Sequence, residues 1–144
     1  MIRSGDNPFF VTETETGYIV LGDHQFFKGY VLLLCKIHAG ELHELEPDFR
    51  KKFLRDMAET AAAQYRAFGP KKLNYELLGN GEAHMHWHLF PRYEDDPRPR
   101  QPVWTIDEKI RNSDAARPSE AALMEMKVAL QNELKKSPGI SPGA

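Results

Sequence analysis

Apolar and polar positions change period several times along the chain, and each change marks an element. Phe9-Phe10-Val11 and Tyr18-Ile19-Val20-Leu21 are short β-branched and aromatic runs, separated by the polar stretch Thr12–Thr16 and by Gly17. Such residue types suit a pleated, half-buried surface and predict two strands. Gly22-Asp23 marks a turn. Tyr30–Cys35 is apolar without interruption, the pattern of a strand covered on both faces. From Pro47 the period lengthens: Phe49, Phe53, Met57, Ala61 and Tyr65 recur every four residues, and Leu54, Ala58 and Ala62 widen the stripe. Lys51, Lys52, Arg55, Asp56 and Glu59 fall mostly elsewhere. With Pro47 as first helical residue, Asp48 in the first turn and Gly69-Pro70 as the stop, the pattern predicts one amphipathic helix over 47–68.

Two more strands follow. Leu73–Leu78 is the first, Gly79-Asn80-Gly81 the turn, and Ala83–Phe90, closed by Pro91, the second. Three strands, a helix and two strands, without alternation of single strands and helices, predict an α+β fold. The sheet is antiparallel, has about five strands and carries one main packed helix.

After Tyr93 the character changes. Glu94–Pro102 is charged and rich in proline, hence extended. Thr105-Ile106-Asp107-Glu108 matches a capping box that starts a short helix. Leu123, Met126, Leu130 and Leu134 predict a second amphipathic helix over 120–135. The expected organisation is a core over 1–93, a proline-rich segment and C-terminal helix packed on it over 94–136, and a disordered tail over 137–144.

Composition narrows the function classes. The 144 residues carry a formal net charge of −2, which argues against a generally basic surface for DNA or RNA. An anionic small molecule would be drawn by a local positive site instead. One cysteine, Cys35, excludes an intramolecular disulfide and a four-cysteine zinc site, and reads as a small core residue. The longest apolar run is far too short to span a bilayer, and Met1–Asp6 lacks the layout of a secretory signal. A cytoplasmic protein without membrane or nucleic-acid partners is expected.

The chemistry concentrates in His84-Met85-His86-Trp87-His88. Side chains alternate across a strand, so the three histidines share one face, about 7 Å apart at successive positions. Met85, Trp87 and Leu89 share the other face, turned to the core. Such a row can bind a metal, joined by His24, His38 or His43. It can do acid–base work near neutral pH. It can also attack phosphorus through an imidazole nitrogen. Periodicity does not choose among these. Of the other candidates, Arg92 is placed to steer an anionic substrate, and Arg98 and Arg100 read as linker charges. Trp104 either stacks on a base or packs on the core.

The segment His84 through Phe90 resembles the signature of the histidine triad (HIT) superfamily, His-φ-His-φ-His-φ-φ with φ apolar, at all seven positions. Leu73–Asn80 before it, Pro91-Arg92-Tyr93 after it and the upstream run Gly29–His38 are similar to the Fhit-like, bacterial diadenosine polyphosphate hydrolase branch. The resemblance covers about residues 8 to 93. It implies a nucleotide hydrolase or transferase acting at the α-phosphate, with no cofactor and no metal, and a homodimer. By position, His86 is the nucleophile, His84 orients it partly through its backbone carbonyl, and His88 binds phosphate oxygens and assists the leaving group. Asn80 and Gly81 fall beside the phosphate, and Asp23 is the acidic residue that grips ribose hydroxyls. Three positions depart from the pattern. Tyr30 replaces a common histidine, Cys35 replaces a proline, and Gly81 replaces a serine or threonine that helps protonate the leaving group. A metal-binding protein built on the same histidines and a nucleotide-binding module with little catalysis remain the alternative readings.

Overall fold

The computed structural model describes residues 7–81, 84–137 and 139–140. Five strands, β1 (Phe10–Glu13), β2 (Gly17–Leu21), β3 (Val31–Cys35), β4 (Lys72–Glu76) and β5 (His86–Arg92), form one sheet in the order β1-β2-β3-β5-β4. Every neighbouring pair is antiparallel. Among the described residues three α-helices accompany it: α1 (Pro47–Phe68), α2 (Glu108–Arg111) and α3 (Glu120–Leu134). This is the α+β architecture expected, with the C-terminal helix present.

Local chemistry fixes α1. The Glu46 carboxylate accepts from the backbone N–H groups of Asp48 and Phe49, Pro47 opens the first turn, and Gly69 closes the helix in the left-handed conformation at φ 61°. The buried face differs from the four-residue stripe. Phe53 and Ala61 are buried, but so are Asp56, Thr60 and Gln64, while Tyr65 is 53 % exposed. A step of four residues overshoots each turn by about 40°, so Tyr65 stands about 160° around the helix from Phe49. The polar residues that take its place are bonded. The Asp56 carboxylate accepts from Thr16 N and Oγ1, and Gln64 Nε2 donates to the carbonyls of Gly29 and Leu89.

One face of the sheet, with Ile19, Leu33 and Leu89, packs with Phe53 of α1 and Leu123, Met126 and Leu130 of α3 in the main core. On α3 the predicted stripe is the buried one. A second cluster gathers Phe27, Phe90, Val103 and Ile106.

Two C-terminal expectations change. Thr105 belongs to a 3-10 turn, and Asp107 caps α2 instead by accepting from Lys109 N, two residues later than the capping-box pattern placed it. Within the 137–144 tail, Ser137 and Ile140 are buried at 4 % and 8 % exposure, because Ile140 joins the main core and Ser137 Oγ accepts from Arg66. Pro138 and residues 141–144 lie outside the described residues, as does the predicted start of the last strand at Ala83.

Candidate active site

The antiparallel pairing of β3 with β5 sets Leu32 opposite His88 and Leu34 opposite His86. On the core side of β5, Leu89 is fully buried and the Trp87 ring lies 6.4 Å from that of Phe53. His86, His88 and Phe90 therefore project together from the opposite face, as the alternation predicts. His84 precedes the strand and reaches the group from the adjoining bend.

The imidazoles form a chain whose direction is fixed at one end. His84 Nε2 lies 2.6 Å from the carbonyl oxygen of Cys35. His86 Nδ1 lies 2.7 Å from the carbonyl oxygen of His84. A carbonyl only accepts, so Nδ1 of His86 carries the proton and Nε2 of the neutral ring bears the lone pair. That lone pair faces His88 Nε2 at 3.1 Å, and His88 Nδ1 lies 2.7 Å from the Tyr30 hydroxyl. With both rings neutral the chain runs one way: Tyr30 O–H to His88 Nδ1, His88 Nε2–H to His86 Nε2, His86 Nδ1–H to the His84 carbonyl. Burial, reinforced by His86, lowers His88 from the usual 6.5 to about 4. His88 is thus neutral near pH 7.

Beside the histidines lies a cavity of about 380 Å³. Asp23, Phe26, Phe27, Tyr30, Phe90 and Trp104 are among its walls. Tyr30 and Phe90 stack with centroids 4.1 Å apart, and both rings lie nearly parallel to that of His88. Trp104 meets His88 and Phe90 edge-on. A larger groove of about 710 Å³ lies between the end of α1 and α3, near Phe68 and Met126. No triad histidine lines either space, but His88 meets the smaller one through its ring contacts with Tyr30, Phe90 and Trp104.

Asp23 lines the cavity. Asn80 and Gly81 are exposed in the loop leading to His84. Arg92 is a correction. It is 3 % exposed and bonds to Asp96, Asn74 and the carbonyls of Gln101 and Arg98, so it ties the proline-rich segment to the sheet and is not presented to an anion. Trp104 resolves toward the site. It is 44 % exposed, lines the cavity, and donates Nε1–H to Glu76, the cross-strand partner of His88. The Arg111 guanidinium covers its ring at 4.9 Å. The sequence gives no role to Glu76, Gln64 or Arg111. Cross-strand register supplies the only signal for Glu76, and nothing local marks the other two.

Of the upstream histidines, His24 lines the cavity, and His38 meets the His84 ring edge-on at 5.1 Å. Among the described residues no group of three His, Cys, Asp or Glu side chains is arranged to hold a metal. Nor is any helix among them long and apolar enough to cross a membrane.

The HIT domain family profile matches residues 6–95. The chain belongs to the HIT family. Members of the HIT family are generally nucleotide hydrolases or transferases. Solved HIT proteins share the fold. A histidine triad protein from Marinobacter aquaeolei is 23 % identical, with TM-score 0.75 over 89 % of both chains. One from Bradyrhizobium japonicum is 17 % identical, with TM-score 0.77 over 87 % of this chain and 89 % of that one. A diadenosine triphosphate hydrolase from Plasmodium falciparum is 14 % identical, with TM-score 0.60 over 91 % of this chain and 79 % of that one. No curated protein matches the chain. Trp104, Arg111 and the cavity wall they form lie beyond the HIT profile.

Proposed function

We propose that this HIT protein cleaves a dinucleoside polyphosphate or a related nucleotide conjugate at its α-phosphorus through a covalent nucleotidyl-His86 intermediate. The observation that carries the reading is the 2.7 Å contact of His86 Nδ1 with the His84 carbonyl, which leaves the lone pair on Nε2, beside His88. In the first step the Nε2 lone pair forms the N–P bond. The bond from phosphorus to the leaving group breaks, and its electron pair departs with that group. In the second step water attacks phosphorus, loses a proton to solvent, and returns the electron pair to Nε2 as the nucleoside monophosphate leaves. Negative charge gathers on the phosphoryl oxygens in both transition states, where the Nε2–H of His88 is placed to donate. The nucleoside would occupy the 380 Å³ cavity, with its ribose toward Asp23 and its base among Phe27, Phe90 and Trp104.

The family's dinucleoside branch is supported by the triad and its flanking segments, and the Plasmodium falciparum neighbour is a hydrolase of diadenosine triphosphate. We read residues 1–93 as the catalytic unit and 94–136 as a segment that completes the nucleoside wall. We read the assembly as a homodimer joined through its sheets. The exposed Tyr75 of edge strand β4 and Leu78 just beyond it support that reading. The test is direct: incubate the protein with diadenosine tetraphosphate and with an adenosine phosphoramidate, quench in alkali, and identify products and protein mass. Adenosine monophosphate together with an adenylyl group on His86 is the expected result. Neither product nor adduct from either compound would end the reading.

A further inference from the structure

Tyr30 stands where the triad pattern commonly has a histidine, and its surroundings fix it more tightly than packing alone needs. The ring stacks on Phe90 at 4.1 Å, and the Gly22 backbone approaches so closely that a Cβ there would fall 2.2 Å from the Tyr30 ring. The backbone is held too. Tyr30 N donates to the Phe27 carbonyl, and the Tyr30 carbonyl accepts from Gly22 N and from Gln25 Nε2. With ring and backbone both fixed, the hydroxyl is delivered 2.7 Å from His88 Nδ1.

In the resting site His88 is held from both sides, by Tyr30 at Nδ1 and by the His86 lone pair at Nε2. Reaction removes one of these. When His86 Nε2 bonds to phosphorus it can no longer accept from His88, and Tyr30 is then the protein group that still favours the Nε2–H tautomer of His88. We propose that Tyr30 is a positioning residue whose hydroxyl donates to His88 Nδ1 and so keeps the His88 proton on Nε2, aimed at the phosphoryl oxygens throughout the reaction. No proton changes hands: Tyr30 and His88 each donate a hydrogen bond and keep their hydrogen. Burial, with Glu76 of β4 and Asp23 of the β2–β3 turn, raises the Tyr30 phenol well above its usual value against the opposing pull of Arg111 on α2, which keeps the donor protonated. The inference rests on His86 being the nucleophile.

The experiment compares His86→Ala with the double variant His86→Ala/Tyr30→Phe by long-range proton–nitrogen NMR of the His88 ring. The first substitution removes the other partner of His88, as the reaction does. The expected result is a single Nε2–H tautomer in His86→Ala and a mixture in the double variant, where phenylalanine keeps the stack but not the donor. The same tautomer in both would overturn the proposal, and this readout needs no turnover. In parallel, Tyr30→Phe in the otherwise unchanged enzyme should lower kcat for diadenosine tetraphosphate about tenfold while KM stays within twofold, the effect of losing a contact made in the transition state. An unchanged kcat also overturns it. A wild type that neither turns over nor forms an adduct defeats the nucleotidyl-transfer reading, and the tautomer comparison still decides the role of Tyr30.

Discussion

His86 Nδ1 donates to the carbonyl oxygen of His84 at 2.7 Å, so His84 holds the ring of the proposed nucleophile through its backbone. A side-chain substitution at His84 leaves that carbonyl in place. His84→Ala should keep the reactive tautomer of His86 and lose the contacts of its own ring, among them those with the Cys35 carbonyl and the His38 ring. Turnover is expected to fall about tenfold, near 1.4 kcal/mol in barrier. His86→Ala should abolish turnover and adduct formation with the fold unchanged by circular dichroism. Equal losses in the two variants would mean that the His84 side chain, not its carbonyl, does the orienting.

Gln64 links the core to the site. Its side-chain nitrogen donates to Gly29 O at 2.7 Å and Leu89 O at 2.9 Å, the residues next to Tyr30 and His88. Gln64→Leu fits the apolar volume but leaves two buried carbonyls without that donor, at about 1–3 kcal/mol for each group so orphaned. Urea unfolding should show a loss of about 2–6 kcal/mol. A loss under about 0.5 kcal/mol would show that the two strands hold their register without it.

Stability should depend on pH through His88. The folded ring titrates at about 4 and the unfolded one near the usual 6.5, so between these values the unfolded chain binds more protons. The His88 contribution is complete above 6.5 and is lost as pH falls through the window to about 4. Glu15, Glu46 and Glu133 are lowered from 4.5 by Lys52, by backbone N–H groups and by Arg66 respectively, so their losses come at still lower pH. Unfolding free energies at pH 7 and pH 4.5 should therefore converge in His88→Gln relative to wild type. An identical pH slope in both proteins would place the dependence elsewhere.

What the chain discloses in advance follows the range of the interactions involved. The bounds of α1 are legible because Pro47 and Gly69 act within one turn of the helix they delimit. The shared face of His86 and His88 is legible because strand alternation is strictly local. Arg92 is misread because its partners, from Asn74 to Gln101, meet it only after the proline-rich segment folds back. Tyr30 shows in the sequence only as a departure from a pattern. Its role depends on His88, 58 residues away. Trp104 is ambiguous for the same reason, since its place is set by Glu76, 28 residues before it.

The segment after the HIT profile should contribute to nucleotide affinity. Trp104 reaches the cavity from a 3-10 turn anchored by buried Val103, and the Arg111 guanidinium lies over its ring at 4.9 Å. A base stacked on an aromatic side chain contributes about 1–3 kcal/mol. Trp104→Ala should weaken adenosine monophosphate binding about tenfold by calorimetry, with kcat changed much less than KM. Unaltered affinity would place the base outside this wall.

Gly81 tests how the leaving group is served. Among the described residues a Cβ at Gly81 would meet nothing within 4 Å, so Gly81→Ser displaces none of them. The triad resemblance implies serine or threonine at this position in several relatives, where it helps protonate a departing group. An amine needs that proton, whereas a polyphosphate departs as an anion. His88, neutral at pH 7, supplies a hydrogen bond and not an acidic proton. Gly81→Ser should accordingly raise kcat for the adenosine phosphoramidate severalfold and leave diadenosine tetraphosphate hydrolysis and thermal stability nearly unchanged. Parallel gains on both compounds would show that the serine acts by positioning the phosphate, and no gain on either would place the proton source beyond this loop.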